Sequence, residues 1–165
     1  MSSKTSHTII KRKEANDIFI TPIELAKKHI EMIEFNENEK WLDPCKNDGS
    51  YYNNLPNDNK DYCEILENKD FFEYEGEVDI IIQNPPYSLM NKWIEKNIEL
   101  NPRVISFIVG IGNLTAKRIE TLEHAGYGLT KMRMLKVWVW YGMSVIVIFE
   151  KGKKSIIELD RTVYR

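Results

Sequence analysis

Cysteine, histidine and long apolar runs are all scarce in these 165 residues, and each scarcity excludes something. The two cysteines, Cys45 and Cys63, are too few and too isolated for a disulfide framework, so both are expected as free thiols. Only His7, His29 and His124 accompany them, without the clustering that zinc requires, and no metal is expected. Each histidine reads as an ordinary surface or core residue with no chemical role. Neither sign of charge predominates: 23 Lys and Arg against 25 Asp and Glu leave a net −2. That balance removes the broad basic footprint of a strong stand-alone duplex binder and leaves any nucleic-acid partner to a local patch. No stretch is apolar for long enough to span a bilayer, and the opening "MSSKTSHTIIKRKEAND" has no run of signal-peptide length. A cytoplasmic protein with no membrane partner is expected.

What is there suffices for one globular core, with 42% hydrophobic and 29% charged residues. There is no repeat, low-complexity stretch or linker. Residues 1–15 are expected as a flexible N-terminal segment and residues 16–165 as a single domain.

"TPIELAKKHIEMIEF" has helical spacing, with Thr21 as N-cap, Pro22 in the first turn, and Ile23, Ala26, Ile30 and Ile33 on one face. "KWLDP" is a short strand closed by Pro44, "GSYYNNLP" at most two helical turns, and "DYCEIL" (61–66) alternates like a strand. "VDIIIQ" reads as a strand buried on both faces. "SLMNKWIEKNIEL" is helical, "RVISFIVG" a strand, and "TAKRIETLEHAG" a helix with Gly126 as its C-cap. "LKVWVWYGMSVIVIFEKG" is most simply a hairpin about Gly142. Apolar strands alternating with helices imply a doubly wound α/β domain, its mostly parallel sheet made mixed by the antiparallel C-terminal hairpin. Ligands of such sheets bind outside the carboxyl ends of the strands, and this places "DPCKNDGS" after the first strand and "NPPYS" after the fourth on one rim.

The second of these loops is chemically unusual. Pro85 and Pro86 lock φ and withdraw two backbone donors, leaving carbonyls free to accept. Asn84 adds a side-chain oxygen and Tyr87 an aromatic face. Such a corner suits a planar amine, whose two N–H groups would reach the Asn84 oxygen and the Pro85 carbonyl while its ring stacks on Tyr87. The plain alternative is a strand-ending turn.

With these residues the chain, from about Asn16 to Lys151, resembles the Rossmann-like class I S-adenosylmethionine-dependent DNA adenine N6-methyltransferases, especially small phage-type members. Asn84-Pro85-Pro86-Tyr87 matches the family's [D/N/S]-P-P-[Y/F/W] motif, and Phe19, Thr21 and Pro22 match its Phe-x-Thr-Pro opening. "LDPCKNDGSYYNNLP" resembles its cofactor loop, with Asp43, Pro44, Cys45 and Gly49 in register. Glu64 stands where the family places the carboxylate that holds the ribose hydroxyls, and Asp70-Phe71 where it contacts the cofactor adenine. The resemblance implies methyl transfer from S-adenosylmethionine to the N6 amino group of adenine in DNA, with Asn84, Pro85, Pro86 and Tyr87 catalytic. Such an in-line displacement depends on alignment, so no histidine or cysteine nucleophile is required.

Two departures qualify this. Asn47 replaces the first loop glycine, and is expected to take the left-handed turn that asparagine tolerates. No target-recognition domain is evident, so the DNA is expected to be read loosely or single-stranded, or a protein partner to supply specificity. Basic candidates for the backbone are "KRK" (11–13), "KMRMLK" (131–136) and "KGKK" (151–154), with Trp138, Trp140 and Tyr141 for stacking, each equally readable as solvated surface or core. Two rival readings stand beside it: methylation of another planar nitrogen, in an RNA base or a protein glutamine, and a non-catalytic methyltransferase-like subunit or binding module.

Overall fold

A computed structural model describes residues 19–136 and 143–162. The segment 1–15 and its "KRK", together with Trp138, Trp140, Tyr141 and the Gly142 turn, lie outside the described residues.

Three short strands come early: β1 (Trp41–Asp43), β2 (Lys60–Tyr62) and β3 (Ile80–Gln83). Three longer ones follow: β4 (Val104–Gly110), β5 (Tyr127–Leu135) and β6 (Ser144–Lys151). They form one sheet in the order β2-β1-β3-β4-β6-β5, parallel through β4 and antiparallel at β6 and β5. Among the described residues the α-helices are α1 (Ile23–Ile30), α2 (Met90–Leu100) and α3 (Ala116–His124). Side-chain alternation along the strands divides the core in two. Leu42, Ile81, Ile105, Phe107 and Phe149 face α2 and α3, while Trp41, Ile80, Ile82, Ile108 and Ile146 face α1. Helices thus cover both faces, as doubly wound α/β architecture requires, and β3 is buried on both sides as its unbroken isoleucines imply. Each such isoleucine or phenylalanine contributes on the order of 2–3 kcal/mol of burial. No helix among the described residues is long and apolar enough to cross a membrane.

Several local expectations change. The hairpin's first strand is Tyr127–Leu135, upstream of the tryptophan-rich stretch, with Leu135 opposite Ser144. "KMRMLK" is therefore sheet edge, its polar residues tolerated because only one side of β5 is paired. "DYCEIL" is a strand only to Tyr62. The Asn-Pro-Pro-Tyr turn follows the third described strand rather than a fourth. Thr21 makes no cap bond to α1, and Ile23 is exposed, so the apolar face begins at Ala26. Thr115 does cap α3, accepting from Arg118 N, and Gly126 ends that helix at φ 90°.

After β6 the chain doubles back across the start of β5. A Cβ at Gly128 would lie 2.2 Å from the Lys153 carbonyl oxygen, so only glycine admits the crossing. Leu129 N donates to Ser155 Oγ and Ile156 N donates to Leu129 O. Arg161 ties the segment to Glu120 and Glu123 of α3.

Candidate active site

β1 and β3 point the same way, so the loops that leave them emerge on one rim. The first loop is built around Asp43. Its fully buried carboxylate accepts from Cys45 N and Tyr52 N, each at 3.2 Å. Burial raises its pKa to about 7 against those two bonds. Asn47 takes the left-handed conformation (φ 51°), as its substitution for glycine predicts, and Gly49 follows at φ 88°. A Cβ at Gly49 would strike the Asn53 amide at 2.4 Å.

The second loop begins where β2 stops. Glu64 and Lys69 pair through their backbones, and between them a 3-10 turn, Ile65–Glu67, leaves Ile65 and Leu66 exposed. Both Glu64 carboxylate oxygens are held by backbone N–H groups, Oε2 by Asn47 at 2.8 Å and Oε1 by Leu66 at 3.1 Å. Asp70 caps the next turn through Phe72 N. Phe71 is buried against Trp93, ring centroids 4.7 Å apart, whereas Phe72 is only partly buried.

The third loop is held from both sides. Trp93 Nε1 donates to Gln83 Oε1, Gln83 Nε2 to Asn97 Oδ1, and Asn97 Nδ2 to the Trp93 carbonyl, a closed buried circuit that fixes the end of β3. Asn84 Nδ2 donates to the Phe19 carbonyl (3.3 Å) and to Thr21 Oγ1 (3.2 Å). A carbonyl accepts only, so the amide is oriented with Oδ1 turned away, and no described residue donates to that oxygen. Cys45 Sγ donates to the Asn84 carbonyl, joining first and third loops. The Pro86 carbonyl is used, accepting from Leu89 N, so only the Pro85 carbonyl is left without a described donor. Tyr87 is anchored by Gly110 N, which donates to its hydroxyl at 2.9 Å, and its ring lies against Phe19 at 6.3 Å and 28°.

These loops enclose a cavity of about 400 Å³. Of the residues singled out in the sequence, Phe19, Thr21, Pro44, Cys45, Glu64, Asp70, Phe71, Asn84 and Pro86 line it. Pro22, Asp43, Gly49, Pro85 and Tyr87 do not. Asp43 and Gly49 shape the first loop from beneath. Sequence reasoning missed Tyr51, Ile65, Leu66, Phe72, Leu89 and Trp93, which also line the cavity. The strand expected over 61–66 hides Ile65 and Leu66; two apolar residues directly after a candidate ligand carboxylate are the signal that points to them. Neither cysteine is activated: burial pushes both thiols up, Cys63 to about 12. Among the described residues no cluster of His, Cys, Asp and Glu is placed to hold a metal.

The basic clusters separate. Lys136 follows the end of β5 opposite Ser144, at the rim where Gly110 meets Tyr87, whereas Lys151 ends β6 opposite Tyr127, at the far end of the sheet. Lys131 is paired with Glu34 and the Met32 carbonyl.

No family model and no curated protein matches the chain. Solved structures do. PH1948 of Pyrococcus horikoshii, described as an RNA methyltransferase, superposes with a TM-score of 0.64 at 17% identity, over 81% of this chain and 87% of that one. The precorrin-6y C5,15-methyltransferase of Geobacter metallireducens gives 0.61 at 15%, over 83% and 93%. A modification subunit described as belonging to a type I restriction enzyme of Vibrio vulnificus gives 0.58 at 14%, over 91% of this chain and 49% of that one, so this chain spans about half its length. The fold is that of the Rossmann-like methyltransferases.

Proposed function

We propose that this chain transfers a methyl group from S-adenosylmethionine to the N6 amino group of adenine in DNA, through a corner made by Asn84, the Pro85 carbonyl and Tyr87. The observation that carries the proposal is the orientation of Asn84: its amide nitrogen is committed to Phe19 and Thr21, so its oxygen is left to accept from an amine. With the Pro85 carbonyl as second acceptor, both N–H groups of an adenine amine are used, and the nitrogen lone pair is left for the incoming carbon.

The cavity residues fit the cofactor. Glu64 spends one lone pair per oxygen on the loops and keeps others for a ribose diol. Phe72, Ile65 and Leu66 offer apolar surface to a purine, and Asp70 keeps an oxygen for its amine. When bound, S-adenosylmethionine supplies the electrophilic methyl group. The adenine nitrogen would gain that methyl carbon as S-adenosylhomocysteine leaves, and the surplus amine proton would pass to solvent. Phe19 and Thr21 hold the Asn84 amide during this exchange, and Tyr87, fixed by Gly110, presents its ring to the base. Arg133 and Lys136, toward the end of β5 that shares a rim with the site loops, are the proposed phosphate contacts, and "KGKK" is relieved of that role by its place at the far end.

Methylation of an RNA adenine is the second reading, favoured by the description of PH1948. Incubation with radiolabelled S-adenosylmethionine and duplex DNA, single-stranded DNA, RNA or protein extract, followed by digestion of the labelled product, decides between them. Label is expected in N6-methyladenine of DNA, with single strands at least as good as duplex because their bases are already unstacked. Label in RNA alone or in glutamine moves the substrate, and cofactor binding without transfer points to a non-catalytic subunit or a missing partner.

A further inference from the structure

Behind Asn84 a line of buried polar side chains runs through the α1 face of the sheet, where the surrounding core is apolar. His29, in α1, is fully buried and meets Tyr51 Oη at 2.9 Å through Nδ1 and Ser106 Oγ at 2.5 Å through Nε2. Ser106 donates to the Val147 carbonyl at 3.0 Å. The Tyr51 phenol also neighbours Thr21 on the cavity wall, and Thr21 Oγ1 receives Asn84 Nδ2 at 3.2 Å. Buried groups of this kind are costly unless each is satisfied, and here each is.

The ends fix the direction of every proton. Val147 offers a carbonyl, so Ser106 gives its only hydrogen there and must accept from His29 Nε2–H. His29 Nδ1 then carries a lone pair and receives the Tyr51 hydroxyl hydrogen. That leaves the Tyr51 oxygen to accept from the neighbouring Thr21 hydroxyl, the link the inference below supplies, while Thr21 Oγ1 accepts from Asn84 Nδ2. One neutral tautomer of His29 satisfies the whole line, and burial keeps it neutral by lowering its pKa to about 3. An imidazolium would donate at both nitrogens and reverse half the chain. The Trp93–Gln83–Asn97 circuit closes on itself, whereas this one is open and ends on a single cavity side chain.

We infer that His29, Tyr51 and Ser106 are positioning residues that set the Asn84 carboxamide through Thr21, an inference that rests on the methyl-transfer reading for its consequence but not for its geometry. The sequence alone gave His29 no role beyond that of a core residue.

The test uses the full chain labelled with ¹⁵N in its asparagine side chains. The Nδ2 pair of Asn84, assigned by its loss in Asn84→Asp, should shift in Tyr51→Phe while the Asn97 pair stays in place. In the same variant kcat for adenine methylation should fall about tenfold or more. Affinity for S-adenosylmethionine should hold within about twofold, which separates lost positioning from a damaged cavity. Thr21→Val should reproduce both effects and Thr21→Ser, which keeps the hydroxyl, should restore both; this pair decides the matter if Tyr51→Phe does not fold. Unmoved Asn84 resonances, or undiminished kcat in Tyr51→Phe, would overturn the inference. A wild-type chain that transfers no methyl group would sink the proposed function, and the Asn84 resonances would still decide the relay.

Discussion

The two sides of the sheet are built differently. β1 and β2 have three residues each and β3 four, whereas β4, β6 and β5 have seven, eight and nine. On the short side pairing stops early, and the chain released at each strand end goes into the three loops that enclose the cavity. On the long side pairing continues, the inward residues from Val145 to Phe149 are fully or almost fully buried, and among the described residues no loop contributes to the cavity. Stability is thus concentrated where ladders are long, and the candidate chemistry where they end.

Substitutions should separate these sides. The largest effect is expected on the long side. Phe149→Ala removes a ring packed edge-on to Phe107 and should cost about 3–5 kcal/mol in urea unfolding. The folded fraction should still bind S-adenosylmethionine normally, and weakened binding would break the comparison. On the short side, Asn84→Ala should lower methyl transfer by on the order of a hundredfold. Its unfolding free energy should move by less than about 1 kcal/mol, because one partly buried amide is lost.

A titration sharpens the contrast. Asp43, with its pKa raised to about 7, binds a proton when folded that the unfolded chain has already released, so its contribution to stability falls as pH rises from about 4 to 7. His29, lowered to about 3, acts in the opposite sense, adding stability as pH rises toward 6.5. The two oppose each other across most of that window. Asp43→Asn should leave the His29 slope alone, so urea midpoints should climb by a few kcal/mol equivalent between pH 4 and 6.5 and then level off. A pH profile unchanged from wild type would show that Asp43 titrates normally.

Glu64→Ala should weaken S-adenosylmethionine binding about tenfold or more by calorimetry, through loss of the ribose acceptor and of the brace between the first two loops. The smallest effect is expected at Asn47. Asn47→Ala should cost about 1 kcal/mol, and Asn47→Gly a few tenths at most, since the position needs a left-handed residue rather than an amide.

The same division governs what could be read from the sequence. Strands defined by burial on both faces, such as Ile80–Gln83, announce themselves through unbroken apolar letters, and the helices through their spacing. Asn84, Glu64 and Asp70 were singled out by the short local motifs that carry the resemblance, and the fold brings all three to one cavity. The part of β5 from Tyr127 onward escapes the pattern because an edge strand may keep Lys131 and Arg133 on it, while the more apolar letters that mark the hairpin's first arm lie outside the described residues. Thr21 reads as a helix cap because its neighbours satisfy the capping pattern; its actual partner, Asn84, is distant in sequence. His29 and Ser106 were invisible for the same reason: a polar residue in an apolar run gives no sign of which other polar residue will meet it.

The return of the chain over Gly128 bears on how molecules of this protein meet one another. The outer edge of a sheet offers a row of unused N–H and C=O groups on which a neighbour's strand can form. Ser155 and Ile156 take up both groups of Leu129, and the Lys153 carbonyl lies directly over Gly128. The beginning of β5 is therefore already finished as an edge, and the self-association by strand addition that an open edge invites is blocked there by the protein's own chain.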